Sequence, residues 1–297
     1  MVTLAKDRRA PKMIQIGDLE IHLINDSVIR ADAGGPFGLV PRALWNRTYE
    51  HDDQFRIVMH HYCLLVRGAG KIIVVDTGIG NRVPDKAARL IALEHPSGGL
   101  LGGLAALGLA PQDVDLVINT HLHSDHCGGN TCFADGGALI PTFPNAEYWT
   151  QRREYADAYL PNERTRGTYF RDNFVPLYES GQMTLIDGEV DVVPGMRCVP
   201  TPGHTPAHMS VVFEAGGEAA LYVADLASLA VHFTNLAWMT AYDVEPLITL
   251  ETKRIWQHWA LEHDATIIFE HEPLTPVGRL AKSEDGKLTL EPIEGAL

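Results

Sequence analysis

The 297-residue chain is 45% hydrophobic and 21% charged, enough apolar content for one large α/β core or two smaller ones and too much for a disordered or fibrous protein. A net charge of -14, with no cationic run denser than Lys6-Asp7-Arg8-Arg9, argues against a nucleic-acid partner, because such proteins carry a basic face. No segment reaches the roughly 20 apolar residues that span a bilayer, and residues 1–14 lack the apolar stretch of a signal peptide, so a soluble cytoplasmic protein without a membrane partner is expected.

In chain order, residues 13–24, 56–67 and 71–76 are apolar and β-branched over strand lengths, with Gly68-Ala69-Gly70 turning between the last two. Helical spacing follows at 84–94, 100–109 and 151–160, and again at 246–262, which opens on Pro246 and offers Leu250, Ile255, Trp259 and Leu261 for burial. Further strands are expected at 115–119, 183–187, 196–200, 208–214, 219–224 and 266–269. A hairpin over 282–291 turns on Asp285-Gly286. Strands and helices alternate through both halves without a Pro-, Gly- or Ser-rich linker, which predicts one domain over residues 1–297 built from two packed sheets with helices outside. Cys63, Cys127, Cys132 and Cys198 lack metal-type CxxC spacing and are read as reduced structural thiols.

The informative segment is His121-Leu122-His123-Ser124-Asp125-His126, directly after the apolar run 114–120. Imidazole and carboxylate are shared ligands of zinc, iron and manganese, and a turn leaving a buried strand can aim alternate side chains at neighbouring ions. More candidates stand at strand ends: His204 and His208 in Thr201-Pro202-Gly203-His204-Thr205-Pro206-Ala207-His208, Asp225 after 219–224, and His271 after 266–269. One such histidine alone signifies little; together with the cluster they point to metal binding. His60 and His61 fall within a strand and outside any motif, as His22, His51, His95, His258 and His263 fall outside any motif, and all are assigned to packing or surface.

These motifs, with Asp76-Thr77-Gly78, resemble the metallo-β-lactamase superfamily over nearly the whole chain. The resemblance implies an αβ/βα sandwich, two mixed sheets with helices outside and two divalent metal ions at the sheet edge. By the same carry-over, His121, His123 and His204 hold one ion, Asp125, His126 and His271 hold the other, and Asp225 bridges them. Zinc leads the metal expectation, with iron, manganese or cobalt open. Asp125 has a second role in proton transfer during catalysis, while Asp76 and His208 support the ligands through hydrogen bonds.

Within that superfamily, Phe37-Gly38-Leu39-Val40-Pro41 resembles the loop over the metals in the branch of acyl-homoserine lactonases and methyl parathion hydrolase. The run after Asp225 resembles the latter, and Ser228 stands where the lactonases place a tyrosine. Phe37, Leu39, Trp45, Leu229, His232 and Phe233 are the expected pocket residues, His232 supplying a polar contact. The expected function is hydrolysis of a hydrophobic carboxylic ester or lactone by water activated between two ions. A phosphotriester hydrolase and a non-hydrolytic redox or binding member are the alternatives. Relatives in this branch pair through N-terminal loops, so a homodimer using Phe37, Leu39 and Trp45 is also expected.

Overall fold

The structure, a computed structural model, describes residues 13–293. The first half contains β1 (Met13–Ile16), β2 (Leu19–Asp32), β3 (Arg56–Gly68), β4 (Lys71–Val75), β5 (Leu116–Ile118), a small ribbon of β6 (Thr131–Phe133) and β7 (Leu139–Pro141), then β8 (Glu147–Gln151) and β9 (Met183–Ile186). The second half contains β10 (Val190–Val193), β11 (Met196–Pro200), β12 (Met209–Ala215), β13 (Glu218–Tyr222), β14 (Thr266–Ile268), β15 (Val277–Lys282) and β16 (Leu288–Pro292). They form two seven-stranded sheets, ordered β1-β2-β3-β4-β5-β8-β9 and β10-β11-β12-β13-β14-β15-β16. Both are mixed: the pairs β4–β5, β5–β8, β8–β9 and β13–β14 are parallel, and the other pairs are antiparallel.

The period of two along each strand divides the apolar residues between three layers. Leu64, Val66, Ile73, Val75, Leu116 and Ile118 face inward and meet Cys198, Val211, Phe213, Ala220, Tyr222 and Ile268 of the second sheet. Their neighbours Cys63, Leu65, Val74 and Val117 point outward under the helices Gly99–Ala106 and Arg152–Tyr159. Val212, Leu221, Val223 and Ile267 do the same under the helix Pro246–Glu262, against Trp256, Trp259 and Ala260. Truncating a fully buried residue such as Leu64 to alanine would leave a cavity between the sheets, at about 2–5 kcal/mol. This is the αβ/βα sandwich expected from the motifs.

Several boundaries differ from expectation, each for a tertiary reason. The first strand divides at Gly17, and β2 continues eight residues past 24, from Asn25 to Asp32, through a bulge between Asn25 and Ser27. Its polar interruption is tolerated because the buried Asp26 carboxylate accepts from Gly80 N and Leu100 N, both at 3.2 Å. The helix expected over 84–94 covers only Asp85–Leu90. Ala92 takes a φ of +49°, and Glu94 exchanges two backbone hydrogen bonds with Val28, at 2.9 and 3.0 Å. Among the described residues no helix is long and apolar enough to cross a membrane.

The segment after β2 folds into short helices Gly34–Phe37 and Arg42–Trp45, whose Phe37 and Trp45 rings stack at 5.0 Å and join Tyr49, Ile57, Met59 and Leu229 in a separate apolar cluster. Phe37 and Trp45 are therefore enclosed within the chain and cannot furnish the dimer surface expected of them. Leu39 alone of the three faces solvent, at 102% relative exposure.

Candidate metal centre

The donors gather where chains leave the ends of both sheets. β5 ends at Ile118, and the extended residues beyond it place His121 and His123 before the short helix Ser124–Cys127 carries Asp125 and His126. The second half brings His204 from the turn after β11, Asp225 from the 3-10 turn after β13 and His271 from beyond β14. His121, His123, His204 and Asp225 offer ligand atoms within 4.8 Å of one another, as do His61, Asp125 and His271. Asp225 stands between the groups: its Oδ2 is 3.0 Å from His204 Nε2 and 3.3 Å from His126 Nε2, and its Oδ1 is 3.2 Å from His271 Nε2. His204 Nε2 and His123 Nδ1 are 3.1 Å apart, His271 Nε2 and His126 Nε2 3.3 Å.

The donor set fits two divalent ions. Its spacings suit adjacent ligands around metal bonds of about 2.0–2.2 Å. The buried His121 Nε2 and His61 Nε2 also have no hydrogen-bond partner, which a native interior does not ordinarily leave. Cys127 takes no part: its buried Sγ donates to Leu122 O at 3.3 Å, and burial pushes the thiol up.

Supporting groups fix the rings. His204 Nδ1 donates to Asp243 Oδ1 at 2.9 Å, an acceptor shared with Thr240 Oγ1 at 2.8 Å. His208 accepts the Asp225 N–H on Nε2 at 3.1 Å, so its Nδ1 carries the proton toward Thr201 Oγ1 at 2.8 Å. His126 Nδ1 lies 2.9 Å from Glu270 Oε2 and 3.2 Å from Asp76 Oδ2, leaving Nε2 to face Asp225 and making Glu270 an outer partner. Asp76, at a φ of +55°, also accepts from Thr120 N at 2.9 Å and Thr120 Oγ1 at 2.7 Å. Glu154 is fully buried and ties both ligand loops together, accepting from Leu122 N at 3.0 Å and Thr205 Oγ1 at 2.6 Å. Gly203 holds a φ of +139°, and a Cβ there would fall 2.4 Å from Thr249 N, which accounts for the glycine before His204.

Burial and mutual repulsion, led by burial, hold His121 well below the usual imidazole range, and burial with the neighbouring His204 charge holds His123 down to about 3. Burial opposes charge on His204 and His271 as well, but Asp225 outweighs it and lifts them to about 10 and about 9. Burial would raise Asp125, yet His126, His271 and His61 bring it down to about 2, and a third of its side chain remains open to solvent. An ion binding there would have to displace protons that His204 and His271 favour holding.

The expected pocket residues are divided. Phe37, Trp45 and Leu229 share one cluster, with the His232 ring edge-on to Phe37 at 5.8 Å. His232 Nδ1 accepts from Leu229 N at 3.3 Å, and its buried Nε2 has no hydrogen-bond partner. Phe233 is a correction: one residue further round the helix Ala230–Thr234, it points under the helix Pro246–Glu262 and packs against Phe269 at 6.1 Å. Leu39 projects into solvent from the turn between two short helices. Ser228 donates to Asp225 Oδ1 at 2.6 Å, so its hydroxyl is occupied by the central carboxylate. A cavity of about 430 Å³ bordered by Tyr49, Val231, Trp238 and Leu290 contains none of the donors.

Three groups at the centre escaped sequence reading. Glu270 and Asp243 stand in no motif, although Glu270 immediately precedes His271. His61 was assigned to packing and instead lies within the second donor group.

A two-sheet sandwich with this His/Asp constellation at its edge defines a class, and residues 56–241 match the model of that class: the chain belongs to the metallo-β-lactamase superfamily. It is 28% identical over 193 residues to N-acyl homoserine lactonase AttM of Rhizobium radiobacter, covering 59% of this chain and 64% of that protein. It is 33% identical over 162 residues to N-acyl homoserine lactonase AiiA of Bacillus thuringiensis subsp. kurstaki, covering 52% and 58%. The chain thus spans about three fifths of the length of these curated relatives. A probable metal-dependent hydrolase from Staphylococcus aureus superposes with a TM-score of 0.84 at 26% identity, over 95% of this chain and 99% of that one. The dizinc quorum-quenching lactonase AidC shares the fold, at a TM-score of 0.79 and 20% identity over 96% and 98%.

Proposed function

We propose that the protein is a single-domain, dinuclear metal-dependent hydrolase that opens small hydrophobic lactones and cleaves related carboxylic esters. The observation that carries this reading is Asp225, whose two oxygens reach donors of both groups, at 3.0–3.3 Å, so that one carboxylate can join two ions. Two bound ions would supply Lewis acidity toward a substrate carbonyl and acidify water. The chain's own residues do the rest. Asp125, ionised and partly open to solvent, is placed to hold the proton of the attacking water and pass it to the leaving oxygen. His208 and Ser228 hold Asp225 by its backbone N–H and its Oδ1. Phe37, Trp45, Leu229 and His232 pack as one buried cluster beside the turn that carries Asp225, and an acyl chain would meet it, with His232 Nε2 as the polar contact, only where that cluster opens.

The lactonase names of the relatives favour a lactone. Ser228 adds a further reading: because its hydroxyl is bound to Asp225, none at that position is tuned to a lactone carbonyl, and aryl esters and phosphotriesters are accepted as well. The test is a hydrolysis screen of N-acyl lactones of graded chain length, aryl esters, a phosphotriester and a phosphodiester, with metal analysis on the same sample. Turnover of lactones and aryl esters with two ions per chain is expected, improving by up to about tenfold per enclosed methylene. Activity confined to the phosphodiester, or indifference to chain length, overturns the proposal.

A further inference from the structure

We propose that His61 is a fifth protein donor to the second ion, beside Asp125, His126, Asp225 and His271. The inference rests on the two-ion reading of the centre. β3 runs past the chain segment that follows β14, with Tyr62 N donating to Glu270 O at 3.0 Å and His60 N to His271 O at 3.3 Å. His271 Nδ1 donates in turn to His60 O at 2.8 Å. These bonds lock His61 opposite His271, and their rings meet edge to face at 4.9 Å. Alternation along the strand sends His60 elsewhere, to Asn25 Nδ2 at 3.0 Å.

His61 has the two-sided environment of a ligating histidine. Its Nδ1 lies 3.1 Å from Ser27 Oγ, a partner that can fix ring orientation and tautomer. Its Nε2 is buried and has no hydrogen-bond partner. Asp125 Oδ2 is 3.7 Å from it, too far for a hydrogen bond. That separation is what two donors keep when each binds one ion at about 2.1 Å and they subtend about 120°, a spacing of about 3.6 Å. A histidine placed only to steer Asp125 would stand closer to it.

The test uses the full chain loaded with two cobalt ions. In His61→Ala the first ion should bind as in the unaltered protein. The second should bind at least tenfold more weakly, and its visible absorption should intensify as its coordination number falls. Unchanged affinity and spectrum would reduce His61 to packing. A second measurement needs no variant: in the unaltered, nitrogen-15-labelled protein loaded with cadmium-113, the His61 Nε2 resonance should show coupling to cadmium, and an uncoupled resonance would overturn the proposal. If the unaltered protein takes up only one ion, the two-ion reading itself fails, which metal analysis distinguishes from a failure confined to His61.

Discussion

Asp243 offers the sharpest test of how the centre is built, because it touches a ligand and no metal donor position of its own. Its Oδ1 accepts from His204 Nδ1 at 2.9 Å in a site where both side chains are almost fully buried. Asp243→Ala removes the acceptor, leaves a buried N–H unpaired and frees the ring to turn. Loss of a hydrogen bond to a charged group costs about 1.5–3 kcal/mol. Loss of an outer partner of a metal-bound histidine typically lowers metal affinity 10–100-fold, or about 1.4–2.7 kcal/mol at 1.36 kcal/mol per tenfold. The two routes agree, so the first ion should bind 10–100-fold more weakly while the second, which does not involve His204, keeps its affinity. Asp243→Asn retains an acceptor oxygen and should fall near the lower limit. Chelator competition monitors both ions, and circular dichroism monitors the fold. An Asp243→Ala protein that holds both ions as tightly as the parent refutes the reasoning.

Asp225→Ala should lower turnover by at least about a hundredfold with the fold intact, since it removes the shared carboxylate and no core side chain; steady-state rates and metal content on one sample check this. Metal binding should weaken as pH falls. His204 and His271, lifted to about 10 and about 9, keep protons below those values that an ion must displace, so affinity measured by competition should drop by up to about tenfold per pH unit per displaced proton between pH 9 and 7. A flat profile would show that neither imidazole is cationic there. Gly203→Ala forces a strained φ and a Cβ onto Thr249, so its melting temperature should fall by several degrees and its first-ion affinity should drop; a parental melting curve contradicts the steric account.

What the sequence disclosed follows from how local each signal is. His121, His123, Asp125 and His126 are legible because one turn carries all four, and their spacing survives without knowledge of the fold. His204, Asp225 and His271 are legible more weakly, as polar residues ending apolar runs. His61 is the opposite case: inside a regular strand an imidazole pointing inward looks like any buried residue, and only the crossing of β3 with the segment around His271 gives it a partner. Asp243 and Glu154 act across 39 and 32 residues of sequence on His204 and Leu122, so no local window contains both ends. The same reason explains β2. Asn25-Asp26-Ser27 breaks the apolar pattern and reads as a strand end, until loops from Gly80 and Leu100 arrive to satisfy Asp26.

Each donor group draws from both halves of the chain: His121 and His123 with His204, Asp125 and His61 with His271. The ions would thus close a clasp across the seam between the two sheets. Because an ion that binds only the native state stabilises it by about 4.1 kcal/mol at a thousandfold excess over its dissociation constant, a pair of ions contributes on the scale of a whole domain's net stability. With two such ions bound, metal supply would set how long this chain survives proteolysis, and a molecule deprived of both would be expected to part first along that seam.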